Sequence, residues 1–173
     1  MISDQVWQLL RLVAVDVDGV LTDGCLLLVG NALGRSFNIR DGLAIKLLCQ
    51  AGINTVIITG RSCSALEVRR WKDLGVAAVI QKARDKSDSL GKWLVRNGFR
   101  WQEVCYLGDD LPDLAAMKCS AVSACPADAC AEVKTAATIV CRKRGGEGVL
   151  REMAELILNR KKKWLPLVRT YGC

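Results

Sequence analysis

Short apolar runs rich in Val, Ile and Ala alternate along the chain with longer amphipathic stretches. The runs at 11–17, 55–59, 77–81, 103–107, 121–124 and 137–141 have strand length and β-forming residues, which predicts a strand at each. Between them, 41–50, 62–74, 86–97, 111–118 and 129–134 place apolar residues at helical spacing, and a last helix is predicted from about 147 to about 160. The predicted strands are apolar on both sides, as a sheet covered on both faces requires. Strict strand–helix alternation therefore predicts an α/β fold, with right-handed crossovers, a parallel sheet and helices on both faces. One segment breaks the alternation. In CLLLVGNALGRSFNI, residues 25–39, Gly30, Asn31 and Gly34 separate two apolar stretches, which predicts a β-hairpin projecting after the first strand. No internal repeat, low-complexity tract or linker divides the sequence, so a single domain over 1–173 is expected. The tail 164–173 carries no readable signal.

Composition narrows the chemistry. The 173 residues are 51% hydrophobic, and a globular chain of this length buries roughly 70% of its extended surface. There is no histidine, which excludes Ser-His-Asp triads, Cys-His dyads and His-containing zinc sites. Acid–base work near neutral pH then falls to carboxylates, cysteine, lysine or tyrosine. The nine cysteines are odd in number, several lie within apolar runs, and no CxxC pair occurs. This pattern predicts reduced, mostly buried thiols rather than a disulfide framework. Residues 1–12 lack a basic start and a small-residue cleavage site, and no apolar run approaches the roughly 20 residues of a membrane span. A soluble cytoplasmic protein without membrane contacts is expected.

The net charge of +7 fits nucleic acid, an anionic surface or a small acidic substrate. Much of the excess lies late, in Arg142, Lys143 and Arg144 and again at 160–163, where cations suit a helix C-terminus. Few aromatics are interleaved with them, so no nucleic-acid partner is expected.

Candidate chemistry collects at the predicted strand ends, where open α/β sheets bind ligands. The first strand runs into DVDGVLTDG, and period-2 geometry sends Asp16 and Asp18 to one side before Gly19 lets the chain turn. Two carboxylates in one cleft raise each other's pKa unless a cation intervenes, so the pair points to a metal or a shared proton. Thr59-Gly60-Arg61-Ser62 follows a strand and opens a helix, as either an anion site or a plain N-cap at Ser62. Lys86 begins a helix, where a cation opposes the macrodipole; the position fits an anion nearby or an ordinary surface lysine. Asp109, Asp110 and Asp113, in GDDLPD, suit a divalent cation or helix capping beside Pro112. In a joint scheme, Asp16 and Asp109 hold Mg²⁺, and the metal and Lys86 offset repulsion between a carboxylate nucleophile and a phosphate dianion.

In order and spacing these motifs resemble the haloacid dehalogenase superfamily. More narrowly, DVDGVLTDG, FNIRDG, ITGR, the Lys86 helix, GDDLPD and GGEGVLRE resemble its capless 3-deoxy-D-manno-octulosonate 8-phosphate (KDO 8-phosphate) phosphatases, over about 12–152. The resemblance implies a Rossmann-like fold with a hairpin in place of a cap, and Mg²⁺-dependent hydrolysis through an aspartyl phosphate. It implies Asp16 as nucleophile and Asp18 as acid–base residue. The implied metal ligands are Asp16, the Asp18 backbone carbonyl and Asp109, with Asp110 and Asp113 in support. Thr59, Gly60 and Lys86 match phosphate-binding positions, and Asn38, Arg40, Asp41, Gly42, Lys46, Arg61 and Arg69 match sugar-acid contacts. A homotetramer with shared sites is implied, the hairpins packing together and a mobile 145–148 segment covering a neighbour's site. The glycines of 145–148 equally suit a flexible turn. Lys46 stands where arginine is usual in the family, and Gln81-Lys82 where Gln-Gly is usual. The alternatives are a phosphatase of nine-carbon sugar-acid 9-phosphates, a non-catalytic oligomerisation domain of the same fold, a phospho-acceptor switch and a basic nucleic-acid module.

Overall fold

The computed structural model describes residues 2–29 and 32–172. Six parallel strands form the central sheet: β1 (Leu12–Asp16), β4 (Asn54–Ile58), β5 (Ala78–Ile80), β6 (Val104–Leu107), β7 (Val122–Cys125) and β8 (Ile139–Val140). Their spatial order is β5-β4-β1-β6-β7-β8. The chain steps outward from β1 to β5 on one side, then returns to continue at β6 on the other. The order thus reverses between β1 and β6, and a crevice opens at the carboxyl ends of those two strands.

Every residue of β1 is buried, and alternate side chains serve opposite faces of the sheet. Val13 and Val15 join one cluster, with Trp71 of α3 (Ala65–Asp73) and the inner faces of α2 (Ile39–Gln50) and α7 (Val149–Arg160). Leu12 and Ala14 join the other, with Leu90 and Leu94 of α4 (Lys86–Arg96), Met117 of α5 (Leu114–Cys119) and Val133 of α6 (Ala131–Ala136). Between β1 and α2 a two-stranded antiparallel hairpin stands apart from the sheet, made of β2 (Leu27–Val29) and β3 (Ala32–Gly34). The turn expected at Gly30 and Asn31 lies outside the described residues.

Several boundaries differ from expectation for local reasons. The helix expected from 62 begins at Ala65, because Ser64 and Glu67 form a reciprocal capping box that fixes the first turn there. The helix expected from 111 starts as a 3₁₀ turn over Leu111–Asp113, capped by Asp110, before α5 begins. The last strand shortens to two residues at the sheet edge. Two short helices were not anticipated. The first, α1 (Asp4–Leu9), docks Trp7 into the core, and α8 (Trp164–Arg169) packs Trp164 and Leu167 against it. Their single apolar turns are too short to show a period, and tertiary packing decides them. The thiol expectation needs correction: Cys105, Cys125 and Cys141 are buried, but Cys25, Cys49 and Cys119 are exposed, and all eight described cysteines are free. Among the described residues no helix is long and apolar enough to cross a membrane.

Candidate active site

The crevice floor is built from the ends of β1 and β6. Asp16 closes β1 and is 5% exposed. Lys86, the first residue of α4, reaches it with Nζ 2.9 Å from Asp16 Oδ1 and 2.7 Å from Asp113 Oδ1. Asp85 caps that helix by accepting from the Asp88 N–H, so the lysine is anchored by its own first turn. Asp113 is wholly buried. The Tyr106 hydroxyl donates to its Oδ1 at 2.7 Å, and the Asp109 and Asp110 N–H groups donate to its Oδ2 at 3.2 and 3.4 Å.

These surroundings fix the charges. Burial, then the charge of Asp113, push the Asp16 carboxyl up to about 7 against the pull of Lys86. Burial and then the charges of Asp16 and Asp113 push Asp109 up to about 7 as well. Burial opposes the Lys86 ammonium, but Asp16 and Asp113 together carry its pKa above the ordinary lysine value.

Carboxylate oxygens of Asp16, Asp109 and Asp113 all lie within 4.8 Å of one another. Asp113 already accepts from Lys86 and Tyr106, which leaves Asp16 and Asp109 as the acids with capacity for a cation. The chain after Asp18 turns through Gly19 at φ 89°, and a Cβ there would collide with the Asp109 carboxylate. The turn thereby brings the Asp18–Gly19 backbone against Asp109. Hard oxygen donors that raise one another's pKa fit Mg²⁺, which would relieve their mutual repulsion.

The walls come from loops. Asp16, Asp18, Thr59, Gly60, Arg61 and Lys86 line a cleft of about 410 Å³ together with Asp109, Asp110 and Asp113. Thr59 is buried and its Oγ1 accepts from the Arg61 N–H at 3.1 Å, which orders the turn after β4. Because α3 starts only at Ala65, the expected helix N-terminus at 59–62 is a loop instead, and Ser64 rather than Ser62 is the cap. Asp110, on the cleft wall, caps its own 3₁₀ turn by accepting from the Leu111 N–H. Asp18 is bound side-on by Arg35, with Arg61 Nε 3.6 Å from its Oδ2.

The remaining sugar-acid positions do not gather in this cleft within one chain. Asn38, Asp41 and Gly42 line a separate cavity of about 20 Å³ beside Trp71. Arg40 lines a groove along α7, Arg69 lines another beside Cys63, and Lys46 is exposed on α2. Asn38 is tied to the site indirectly, since its Nδ2 donates to the Gly146 carbonyl and the Gly146 N–H donates to the Val20 carbonyl. The 145–148 segment thus packs on the loop after Asp18 in its own chain, so closely that a Cβ on Gly145 would strike the Gly19 carbonyl. Sequence reasoning missed Tyr106 and Arg35. Tyr106 sits within an apolar strand and reads as core, and Arg35 follows a hairpin whose pattern carries no chemistry. Arg84, a further basic residue of the cleft, was passed over beside Lys86.

No family model matches the chain. It is 37% identical over 155 residues to the 3-deoxy-D-manno-octulosonate 8-phosphate phosphatase of Haemophilus influenzae, covering 89% of this chain and 86% of the relative. The Yersinia pestis protein of the same name is 38% identical over 151 residues, covering 86% and 80%. A crystal structure of the Moraxella catarrhalis phosphatase of that name, in complex with magnesium, phosphate and KDO, superposes with a TM-score of 0.93. It is 34% identical, and the match covers 98% of this chain and 97% of that one.

Proposed function

Since the chain belongs to the 3-deoxy-D-manno-octulosonate 8-phosphate phosphatases of the haloacid dehalogenase superfamily, we propose that it is a Mg²⁺-dependent phosphomonoesterase that releases KDO and inorganic phosphate from KDO 8-phosphate. The observation that carries the chemistry is the convergence of Asp16, Asp109 and Lys86 where the strand order reverses. In the reading we adopt, an Asp16 oxygen attacks phosphorus in line and the bond from phosphorus to the sugar oxygen breaks. Asp18 gives its proton to that oxygen. A water then attacks the aspartyl phosphate while Asp18 takes back a proton, which regenerates Asp16 and frees phosphate. Thr59, Gly60 and Lys86 bind the phosphoryl oxygens. Asp16, Asp109 and the Asp18 carbonyl hold Mg²⁺, and Asp113 steadies Lys86. Bound Mg²⁺ supplies charge neutralisation between the carboxylates and the incoming dianion.

Arg61 is the sugar-acid contact best supported within one chain, because it lines the cleft. Asn38, Arg40, Gly42, Lys46 and Arg69 are assigned to that role by resemblance, at sites completed between subunits of a homotetramer, whereas Asp41, matched to the same role, is buried against the start of α7 in its own chain. Support for assembly is the hairpin, whose Leu27 and Leu28 are 64% and 74% exposed. Sedimentation as a monomer at micromolar concentration would remove it. The free state of the eight described cysteines accords with a cytoplasmic setting.

The decisive experiment compares kcat/KM of the purified protein on KDO 8-phosphate and on a nine-carbon sugar-acid 9-phosphate, with preference for the first expected. Asp16→Asn is expected to lower turnover at least about 10⁴-fold with the fold retained by circular dichroism, since loss of a nucleophile removes the covalent route. Residual turnover within tenfold of the parent would refute the mechanism.

A further inference from the structure

Arg35 follows β3 at the foot of the hairpin, and its side chain is 9% exposed. Its Nε donates to Asp18 Oδ1 at 2.8 Å and its Nη2 to Asp18 Oδ2 at 3.3 Å, a side-on pair that fixes the plane of the carboxyl group. The guanidinium's other face is anchored: Nη1 donates to Glu67 Oε1 at 3.1 Å. Glu67 is itself held, because its Oε2 accepts from the Ser64 N–H at 2.6 Å and the Ser64 hydroxyl accepts from the Glu67 N–H at 3.2 Å. A chain of contacts therefore runs from the first turn of α3 through Glu67 and Arg35 to Asp18. Burial disfavours the guanidinium charge, but the two carboxylates more than offset this, so its pKa lies above the ordinary arginine value.

We propose that Arg35 is a positioning residue for Asp18, setting the carboxyl group so that one oxygen exchanges its proton with the leaving sugar oxygen and then with water. This deepens the phosphomonoesterase reading above and rests on it. Oδ1 takes the short bond from Nε, whereas Oδ2 makes the longer contacts, to Arg35 Nη2 and to Arg61 of the cleft. Oδ2 is thus the less tightly held oxygen and the one that faces the cleft residue Arg61. When the bond from phosphorus to the sugar oxygen breaks, that proton passes from Asp18 to the alkoxide, which becomes the product hydroxyl. The carboxylate left behind faces a fixed cation. It then takes a proton from the water that attacks the aspartyl phosphate, and the cycle closes with no other reactant. A lysine at 35 would keep the charge but lose the two-point grip. The pair also links the hairpin base to the acid–base residue.

The test uses leaving-group dependence. An alkoxide needs a proton to depart and p-nitrophenolate does not, so in kcat/KM, which ends at formation of the aspartyl phosphate, loss of aim at Asp18 is felt on one substrate class only. Arg35→Gln is expected to lower kcat/KM on KDO 8-phosphate about 100-fold, within the usual range for general acid catalysis, and on p-nitrophenyl phosphate less than about threefold. Arg35→Lys should fall between the parent and Arg35→Gln. In an Asp18→Asn background, Arg35→Gln should cost nothing further. Equal losses on both substrates, or no loss on either, would overturn the proposal and leave the phosphatase reading standing. A parent protein that hydrolyses neither compound would overturn the phosphatase reading itself. Should Arg35→Gln fail to fold, Glu67→Gln, which loosens Arg35 without removing it, must show the same selective loss in weaker form, and an unselective loss overturns the proposal.

Discussion

Asp113 on the cleft floor and Asp41 at the junction of α2 with α7 are 0% and 3% exposed, yet their surroundings differ completely. Asp113 accepts from the Lys86 ammonium, the Tyr106 hydroxyl and two backbone N–H groups, so both of its oxygens are satisfied. Asp41 has one oxygen on the Arg151 N–H at 2.8 Å, while its Oδ2 is buried with no partner. Burial, only partly offset by the N–H groups of Arg151 and Leu150, pushes the Asp41 carboxyl up to about 6. Asp41 stands in for a missing cap, because Gly148 precedes α7 and offers no side chain to its first turn. Burial alone therefore does not decide whether an acid is at ease in a protein; the number of donors facing it does. The floor is a fully partnered polar core that holds Lys86 for chemistry, whereas the junction tolerates a half-partnered acid to hold a helix.

The strongest way to break this contrast is to remove the partnered acid. Asp113→Ala leaves the Tyr106 hydroxyl and two N–H groups without their acceptor and Lys86 with Asp16 alone. Breaking a buried ion pair of this kind costs roughly 3–5 kcal/mol, to be read as the change in unfolding free energy from urea denaturation. A loss below about 1 kcal/mol would mean that water or Asp109 replaces the network, and the contrast between a fully partnered floor and a half-partnered junction would fail.

The half-partnered acid makes a smaller, pH-dependent prediction. The folded-state pKa of Asp41 is raised from 3.8 to about 6, so the native state binds the extra proton between those values. Its contribution to stability is then greatest below pH 4 and is lost as pH rises through about 6, with no further change above. At about 1.4 kcal/mol per tenfold change in proton affinity the loss reaches up to about 3 kcal/mol. Asp41→Asn keeps an acceptor for the Arg151 N–H and removes the charge. It should be more stable than the parent at pH 7.5 by up to that amount, with the gap closing toward pH 4. Parallel stability curves would show that Asp41 does not titrate in this window.

The contrast also explains which parts of the molecule could be read from residue order. The sheet, its alternation with helices and the acids at the ends of β1 and β6 follow from runs of adjacent residues, each with a local signature. Asp16, Asp109 and Lys86 were found because strand ends converge by topology. The partners that settle their state were not. Tyr106, at the third position of β6, meets Asp113 of the following 3₁₀ turn, and Arg35, directly after β3, meets Asp18 of the loop after β1; neither encounter has a spacing in the sequence. Asp41 was assigned to substrate from its motif, and only its contact 110 residues away with Arg151 shows what it does inside its own chain. Helix starts were misplaced where two hydroxyl or acidic caps compete within three residues, as Ser62 and Ser64 do.

That competition supplies the smallest and sharpest test. Ser64 is exposed and its hydroxyl satisfies a single N–H, that of Glu67, at 3.2 Å. Ser64→Ala should cost only about 1 kcal/mol, because water can reach the freed donor where none can reach Asp113. The second half of the capping box survives the change, since Glu67 Oε2 accepts from the backbone N–H of residue 64, which alanine keeps. Glu67 therefore stays in place beneath Arg35, and the ratio of kcat/KM on alkyl and aryl phosphates should not move while the denaturation midpoint falls. A shift in that ratio would show that the hydroxyl, rather than the backbone, fixes Glu67, and that the cleft wall depends on an exposed hydrogen bond as much as the floor depends on a buried one.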